Sequence, residues 1–554
     1  MKLTKLLSLT LFATCLLAGC SSNSQNNSQN SNSDIYTEVG TYPIVKEGES
    51  TSFSVFAPLR PSVTTYDANT NPFTAYMEDL TGVTLDFTEV TSSDSKQKFN
   101  VMMTSGEYTD VILDMSLGLS ELLLYGQQGI FLPLNDLIDQ YAPNIKKALE
   151  ENPIVKNTWT LEDGNLYVVP RIGSAAHSQT SYRMWLNQEW LDNLNLAVPK
   201  TTEEFYQVLK AFKEKDANGN GDPNDEIPLS GSIKAWNGDP MPFILNAFIP
   251  ASPTTGYINI DENGKLYYVK STDEFKEYLK YMNKLYSEGL LDEFIFSQGK
   301  DELLKLGSNP EIAILGATGG GSASVISNIA NVDRWTQYIA LPPLEGPTGL
   351  RSAANSPNYG MSSMVITNKC ENPEAVMRYF DYMYTVDGRI FNTLGFLDEG
   401  RYILAPEGSI NLINEPAKYT RLSGDQITDL SWNSMGPLYN WEGYELEFTV
   451  TQPAEHDIEY VLYNSAVNDY IPVAQDEATM LPKLAYNTDE SRLIVDVVTN
   501  LNLYVDQAVA AFVTGQEDIE SGWADYLAQL EKLGLSDYIA VNQSAYDRKM
   551  DSLK

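Results

Sequence analysis

Short apolar strands that alternate with amphipathic helices limit the fold of this chain more than any other sequence feature. The opening third contains three segments whose apolar residues alternate with polar ones or form one short run: 53–57, 83–87 and 111–113. A helix is predicted between the first two, over 71–80. Similar strands recur later, at 312–315, 338–341 and 364–366. This β–α–β–α order is typical of an α/β fold with buried, largely parallel sheets.

Helix start and stop signals support the same architecture. Thr201 and Ser271 each precede a glutamate by three residues, the spacing of a capping box, and Asn372 precedes a proline. Near the C-terminus, two periodic stretches that end at glycines predict a helical region: 493–512 and 523–530.

Length and charge narrow the class of protein. The chain has 554 residues, so about two to four domains are expected. Acidic residues number 74 against 37 basic ones, which gives a net charge of −37. Nucleic-acid binding needs clustered Lys and Arg, so nucleic acid is excluded as a partner. The presence of only two histidines excludes most histidine-based zinc and general-base chemistry.

The N-terminus predicts export and anchoring. Residues 1–19 form a signal peptide, in which Lys2 and Lys5 precede an apolar stretch too short to span a bilayer. The stretch ends in Leu-Ala-Gly-Cys, which resembles the lipobox of bacterial lipoproteins. This resemblance implies that Cys20 carries a diacylglycerol anchor with acyl chains such as palmitate. Residues 20–35, rich in Ser, Asn and Gln, predict a flexible tether. A plain secretory signal with a chance cysteine is the alternative.

Cysteine usage agrees with an exported protein that has no disulfide framework. Cys15 lies in the signal peptide and Cys20 is assigned to the lipid, which leaves Cys370 without a partner. The mature protein must therefore be held together by its apolar cores or by a metal ion.

The sharpest chemical motif is an oxygen-rich loop, 216–226. Oxygen-bearing side chains alternate at its start, and a glycine follows at the sixth position, as in calcium loops. The twelfth position is isoleucine, so the late ligands are assigned to neighbouring carboxylates. The predicted ligands of a structural Ca²⁺ are Asp216, Asn218, Asn220, Asp222, Asp225 and Glu226. A solvated Asn-Gly-Asp turn between a helix and a strand is the alternative.

Several segments together resemble one family. They are 184–191, 199–201, the calcium loop with 227–230, 129–135, 141–144, 512–515 and 545–548. The set resembles family 1 of the extracellular solute-binding proteins, which includes maltose-binding protein. It is closest to the long lipoprotein branch that includes calcium-containing alginate-binding proteins. The loop between Gly221 and Asp225 is a residue or two longer than is usual in that branch.

This resemblance implies an α/β, two-lobed Venus-flytrap fold of type II, with a ligand cleft between lobes that close by a hinge. The first lobe would comprise 36–165 plus 348–398. The second lobe would comprise 166–347 plus 399–554, with the calcium loop and a helical C-terminal part. The implied protein is not an enzyme: it captures an oligosaccharide for an ABC importer. The glycine-rich segment 316–322 lacks the lysine of a phosphate-binding loop, so the ATPase and the permease are expected to be separate chains.

The expected location is the extracellular face of the cytoplasmic membrane, where a monomer is held by its lipid anchor only. In a cell with an outer membrane, the same protein would be periplasmic.

Ligand-binding candidates are aromatic or charged residues in predicted loops. Sugars need flat aromatic faces for stacking, and carboxylates, amides or arginines for hydrogen bonds. Asp114 ends a predicted strand, where parallel sheets bind ligands, and Arg183 is placed to reach an acidic group. The candidates are Trp236, Trp432, Tyr359, Trp335, Asp114 and Arg183. For each aromatic residue, packing in a core is the alternative.

Two other function classes stay open at this point. A secreted, calcium-stabilised glycoside hydrolase needs two carboxylates about 5–10 Å apart, and 74 acidic residues do not exclude such a pair. An orphan surface receptor or adhesin would keep the fold without feeding a transporter. The sequence names neither the sugar nor whether another solute replaces it.

Overall fold

The computed structural model describes residues 35–173, 175–422, 429–441 and 443–553. The predicted signal peptide, the lipid site Cys20 and all of the tether except Ile35 lie outside the described residues. Of the helices in these ranges, none combines the length and the apolar character that crossing a membrane would require.

The strands of the described residues, in chain order, are β1 Thr51–Pro58, β2 Val83–Val90, β3 Val111–Leu113, β4 Val169–Arg171, β5 Arg183–Asn187, β6 Ile227–Ser230, β7 Ile258–Ile260, β8 Leu266–Tyr268, β9 Leu315–Gly320, β10 Tyr338–Leu341, β11 Met361–Ile366, β12 Tyr402–Leu404 and β13 Tyr419–Arg421. The pairs β7–β8 and β12–β13 form two small separate sheets.

The α-helices of the same ranges are α1 Pro72–Thr81, α2 Ser95–Ser105, α3 Leu119–Gln127, α4 Asn135–Tyr141, α5 Pro143–Glu151, α6 Pro153–Trp159, α7 Gln188–Asn193, α8 Thr202–Glu214, α9 Met241–Leu245, α10 Asp273–Ser287, α11 Lys300–Gly307, α12 Val332–Trp335, α13 Pro373–Asp381, α14 Val386–Leu394, α15 Ile458–Ser465, α16 Thr488–Thr514, α17 Ile519–Lys532 and α18 Leu535–Ser552. The predicted C-terminal helical region is thus present as α16, α17 and α18.

The first lobe is built on a five-stranded sheet with the order β2-β1-β3-β11-β4. β1 pairs in parallel with β2, from Thr51 opposite Val83 to Pro58 opposite Val90, and also with β3. β11 runs antiparallel to both β3 and β4. β4 therefore runs in the same direction as β1 and β3, and the carboxyl ends of these three strands share one edge.

The second lobe contains a four-stranded sheet with the order β10-β5-β9-β6. β6 and β9 are parallel, and β5 runs against β9 with Arg183 opposite Gly320. The start of β5 therefore lies at the edge where β6 and β9 end.

Strand β9 is rich in glycine, and its limits correct the strand predicted over 312–315. An added Cβ on Gly316 would lie 2.7 Å from the ring of Phe212 and 2.9 Å from the ring of Trp190. Glycine is therefore needed for the strand to pass beneath these two large side chains.

Each lobe has its own apolar core. In the first lobe, Val55, Met77 and Phe380 have no exposed surface. In the second, Leu279 and Phe512 are at most 1% exposed. With two main sheets and two large, separate cores, the predicted two-lobed α/β architecture is confirmed.

Over the described ranges, the chain passes between the two cores three times. Residues of the first core lie within 36–172, 364–384 and 432–438, and those of the second within 184–353 and 470–545. The first crossing, between Ile172 and Arg183, joins the end of β4 to the start of β5. The carboxyl edges of the two sheets therefore both adjoin this crossing segment. The predicted sequence limits of the lobes stay a prediction.

The predicted helix caps are present in part: Thr201 caps α8 by accepting from the backbone of Glu204, whereas Asn372 begins α13 without a side-chain cap bond. Asn71 caps α1 by accepting a hydrogen bond from the backbone of Thr74, and Gly82, at φ +71°, ends that helix. α10 is capped by Thr272 rather than by Ser271. The reason is that the Ser271 hydroxyl instead donates to the carbonyl of Tyr268, at 2.7 Å.

Candidate functional site

The edge of the first lobe carries a cluster of charged side chains around Asp114, directly after β3. Two arginines donate to the same carboxylate oxygen: Arg60 Nη2 at 2.6 Å and Arg171 Nη2 at 2.9 Å. The hydroxyl of Ser363 donates to the other oxygen at 2.5 Å, and the backbone N–H of Gly436 adds a bond of 3.0 Å. The two arginines come from the ends of β1 and β4, so the shared edge of the parallel strands assembles the cluster.

The three charged side chains of this cluster differ in their solvent exposure. The side chain of Asp114 is 6% exposed, that of Arg171 is 16% and that of Arg60 is 31%. Burial lowers the pKa of Arg171, and the adjacent Asp114 carboxylate opposes that shift. The Nε atoms of both arginines are buried and have no partner among the described residues. Arg60 thus presents the accessible charge of the first-lobe edge.

The edge of the second lobe presents an aromatic face. Trp236 lies in the loop after β6 and is 57% exposed. Its ring rests on Gly321, just past the end of β9, where an added Cβ would lie 2.8 Å from three ring atoms. The N–H of Gly321 also donates to the Trp236 carbonyl at 3.2 Å. The glycine therefore supports the ring from below and leaves its other face free.

Arg183 lies beneath this edge and has no exposed surface. Its Nη2 donates to the carbonyl of His177 at 2.7 Å, and its Nη1 to that of Gly321 at 3.2 Å. The guanidinium lies 5.5 Å from the centre of the Tyr470 ring. Burial lowers the pKa of Arg183 to about 10. Within the described ranges no carboxylate pairs with it, so it ties the crossing segment to the edge of the sheet.

His177 is a neutral histidine in the first crossing segment. Its Nε2 lies 3.7 Å from a carboxylate oxygen of Glu459. Burial, with a smaller contribution from Arg183, lowers the pKa of His177 to about 4. The contact with Glu459 is therefore not an ion pair at neutral pH.

Tyr359 lines a cavity of about 500 Å³, called here the hinge cavity, beside the crossing segments. Other lining residues come from the first crossing, from the second lobe and from its helix α18: Ser178, Gly256, Tyr486 and Asn542. The indole of Trp159 donates to the Tyr359 carbonyl at 2.7 Å. Burial raises the pKa of Tyr359 to about 12, so its hydroxyl stays protonated.

Two predicted ligand residues lie inside the lobes rather than at the cleft. Trp432 is 0% exposed, and its indole donates to the hydroxyl of Thr74 at 2.7 Å. Trp335 is 1% exposed, and its indole donates to the carbonyl of Ile329 at 3.0 Å. Because each N–H has an internal partner, both rings are accommodated in the apolar interior.

The structure therefore brings Asp114 and Trp236 to the carboxyl edges of the two sheets, with Tyr359 and Arg183 near the crossings. Sequence reasoning missed Arg60 and Arg171. Arg60 comes two residues after β1, so the rule that ligands bind at the ends of parallel strands, which selected Asp114, could also have selected Arg60. The same rule could not have selected Arg171, because β4 had no recognisable strand pattern.

The predicted calcium loop is a compact turn closed by its own side chains. The amides of Asn218 and Asn220 donate to the two carboxylate oxygens of Asp225, at 2.8 and 2.6 Å. The carboxylate of Asp216 accepts from the backbone of Asn220 and Gly221. In the described part of the chain, no group of three or more His, Cys, Asp or Glu side chains is arranged to hold a metal ion.

One carboxylate oxygen of Glu226, in this loop, has no hydrogen-bond partner among the described residues. Its Oε1 accepts from the backbone of Ala217 at 2.8 Å. Its Oε2 is buried and has no partner among the described residues, and burial raises the pKa of the carboxyl group. A buried, unpaired carboxylate oxygen among amide and carboxylate neighbours suits a hard cation such as Ca²⁺.

These features define a two-lobed binding protein with one aromatic and one charged edge. The chain belongs to the family of bacterial extracellular solute-binding proteins, whose model matches residues 61–390. The predicted family is confirmed.

Relatives match along nearly the whole chain. The fructooligosaccharide ABC transporter substrate-binding protein FusA of Streptococcus pneumoniae is 28% identical over 551 residues, which cover 96% of each chain. Lipoprotein LipO of Bacillus subtilis is 27% identical over 539 residues, which cover 94% of each chain.

A solved structure of FusA in complex with kestose has a TM-score of 0.66 to this chain at 26% identity. The match covers 90% of this chain and 99% of FusA. A structure of a FusA EF-hand mutant with fructo-nystose matches equally well.

Proposed function

We propose that this chain is the substrate-binding subunit of an ABC importer, which captures an oligosaccharide in the interlobe cleft and delivers it to the permease. The observation that carries the proposal is the exposed Trp236 ring at the carboxyl edge of the second-lobe sheet, together with the Asp114 cluster at the carboxyl edge of the first. The full-length match to FusA, a binding protein for fructooligosaccharides, supports the substrate class.

The two edges suit the two kinds of surface on a sugar. A pyranose or furanose ring has an apolar C–H face, which stacks on an indole, and a rim of hydroxyls, which needs charged or amide partners. Trp236 supplies the stacking surface. Arg60 donates to sugar oxygens while Asp114 holds its guanidinium in place. We further assign Tyr359 to the ligand surface near the hinge, and Arg183 to the support beneath Trp236.

Closure of the lobes follows from the separate cores. Because each lobe has its own core, a ligand that touches both edges of the cleft favours the closed arrangement by its differential affinity. The closed form is then the signal that the permease recognises.

Delivery to a membrane complex requires an anchor. Cys20, lipidated and followed by the flexible tether, would hold the protein at the extracellular face of the cytoplasmic membrane, or in the periplasm of a cell with two membranes. LipO is itself named a lipoprotein. The permease and the ATPase would be separate subunits, and the binding protein would act as a monomer with no other membrane contact.

We also propose that the loop 216–226 binds a structural Ca²⁺. The ligands would be Asp216, Asn218, Asn220, the carbonyl of Asp222, Asp225 and Glu226. The unpaired oxygen of Glu226 supports this assignment. The FusA variant solved with fructo-nystose is an EF-hand mutant, and the presence of an EF-hand in that relative supports the assignment as well. The ion would hold the connection between α8 and β6 in its turn.

Thermal unfolding with a panel of oligosaccharides tests the transport proposal. A sugar at a hundredfold excess over its dissociation constant stabilises the folded state by about 2.7 kcal/mol. The expected result is a clear upward shift in Tm with kestose or a related sugar that is recovered intact. Recovery of shortened sugars would establish a hydrolase instead. No shift with any sugar would reject oligosaccharides as the substrate class.

The calcium proposal is tested by removing bound metal with a chelator, adding Ca²⁺ and measuring Tm. The Tm of the native chain is expected to rise, and Glu226→Gln should abolish most of the rise. Asp222→Asn is the matched control, because it keeps the backbone carbonyl that acts as the ligand, and it should respond like the native chain. If Ca²⁺ raises the Tm of the Glu226→Gln protein as much as that of the native chain, Glu226 is not a ligand.

A further inference from the structure

A second cavity, of about 590 Å³, lies inside the second lobe next to the cleft. The loop that carries Trp236 also contributes Ile233 and Asp239 to its wall. Gly256 lines both this cavity and the hinge cavity, so the two spaces are neighbours. We call it the lobe-two cavity.

Polar groups of the lobe-two cavity have hydrogen-bonding capacity that the protein does not use. Tyr257 and Tyr278 line it, and neither hydroxyl has a hydrogen-bond partner among the described residues. Asp239 accepts one bond at Oδ1, from the backbone of Met241 at 2.9 Å, and its Oδ2 accepts none within the described ranges. Such unpaired groups are costly in a cavity unless a ligand or water satisfies them.

Negatively charged side chains outnumber positively charged ones in the lobe-two cavity. Lys270 lies 4.0 Å from the centre of the Tyr257 ring, and Asp239 and Asp506 are the carboxylates that act on it. Burial lowers the pKa of Lys270 and raises that of Asp239 to about 6. One ammonium is thus set against two carboxylates in a poorly solvated space with apolar walls that include Met241 and Phe275.

We infer that the lobe-two cavity is a further subsite of the oligosaccharide site, where it binds a sugar residue and favours neutral over acidic sugars. This inference rests on the proposed function, because it extends the same cleft. Sugar hydroxyls donate to Asp239 and accept from Lys270 and the two tyrosines, while C–H groups contact the apolar wall. A uronate would instead bring a further carboxylate beside Asp239 and Asp506.

Tyr278→Phe tests the subsite with a substitution that preserves packing. The hydroxyl has no partner among the described residues of the free protein, so its removal should leave Tm unchanged or higher. Loss of a hydrogen bond to the ligand should weaken binding about 3- to 10-fold. The probes are kestose and the longer fructo-nystose, measured by calorimetry, with the larger loss expected for fructo-nystose.

Tyr281→Phe is the matched control, on the same helix α10. The Tyr281 hydroxyl donates to the carbonyl of Thr202 at 2.8 Å and lies outside the cavity lining. This variant should lower Tm and leave both affinities unchanged.

Asp239→Asn should weaken the binding of fructo-nystose about tenfold, because a charged acceptor is lost, and should improve the relative binding of trigalacturonate.

The outcomes separate the two proposals. If the native chain binds either sugar and the Tyr278→Phe and Asp239→Asn proteins bind both equally well, the subsite is rejected while the proposed function stands. If the native chain binds trigalacturonate in preference to fructo-nystose, the selectivity for neutral sugars is rejected. If the native chain binds none of the three, both proposals fail for this substrate class.

Discussion

The two edges of the cleft are built on opposite principles. At the first-lobe edge, Asp114 gathers Arg60 and Arg171 into a charge cluster that is largely satisfied from within. At the second-lobe edge, Trp236 is 57% exposed and rests on a glycine, while Arg183 beneath it is buried and bonded to carbonyls.

The difference assigns separate tasks to the lobes. A preassembled charge cluster fixes the direction of hydrogen bonds and loses little entropy when a ligand arrives. An exposed ring supplies contact area that is realised only when the ligand covers it. The first-lobe edge therefore orients the ligand and is costly to disturb, whereas the second-lobe edge contributes affinity and little stability.

The largest effect is expected for Asp114→Ala. It leaves two partly buried arginines without their carboxylate, and the free energy of unfolding should fall by about 3 kcal/mol, as measured by urea denaturation. Lys96→Ala is the control, because it breaks an exposed pair with Glu121 of similar length, 2.6 Å, and should cost less than about 1 kcal/mol. Equal losses in the two variants would show that the cluster is solvated, and the contrast between the edges would disappear.

A pH effect is expected at His177, behind the second-lobe edge. In the unfolded chain this histidine takes up a proton near its ordinary pKa of about 6.5, whereas in the folded protein its pKa is about 4. Between these values the unfolded state binds more protons, so stability should decrease as pH falls from about 6.5 to about 4, by roughly 3 kcal/mol in all.

His177→Gln should flatten this part of the stability profile. His456→Gln, at an exposed histidine, should leave it unchanged. Identical profiles for the native and His177→Gln chains would mean that His177 titrates alike in both states.

Trp236→Ala should lower the affinity for sugar with little change in the stability of the fold. Loss of the stacking surface should weaken sugar binding by about 2 kcal/mol, roughly 30-fold, while unfolding changes by less than about 0.5 kcal/mol. Trp432→Phe, inside the first core, should show the reverse pattern: lower stability and unchanged affinity, because its ring has no exposed surface. A stability loss for Trp236→Ala as large as that for Trp432→Phe would place the ring in a core.

The smallest effect is expected for Gly321→Ala. The new methyl group would collide with the Trp236 ring at 2.8 Å and tilt it, weakening sugar binding by about 1 kcal/mol at most. In a Trp236→Ala background the same substitution should have no effect, because the ring it displaces is absent. An undiminished effect there would assign Gly321 a role independent of the ring.

Local patterns predicted much of the fold because each depends on neighbouring residues. The alternation in β1 and β2, the threonine cap of α8 and the glycine that ends α16 are all short-range signals. Strand β9 was placed less well. A strand of glycines carries no apolar pattern, and its position depends on the rings of Phe212 and Trp190 that pass over it.

The site was less accessible to the same reasoning. Asp114 was predicted correctly to follow a strand, since the end of a strand is a local feature. Its arginine partners lie 54 and 57 residues away, and its backbone donor Gly436 lies 322 residues away. No spacing rule connects groups that only the order of strands in a sheet brings together.

The sequence by itself determined the α/β class and the candidate calcium loop, because these depend on periodicity, caps and compact motifs. Its resemblance to a known family supplied the family and the expectation of two lobes. Only the tertiary structure decided which tryptophan is exposed. Trp236 and Trp432 both lie outside the helices and strands, yet one rests on a glycine at the cleft and the other fills the first core. Burial depends on what packs against a side chain from distant parts of the chain, and that information is carried by the assembled lobes.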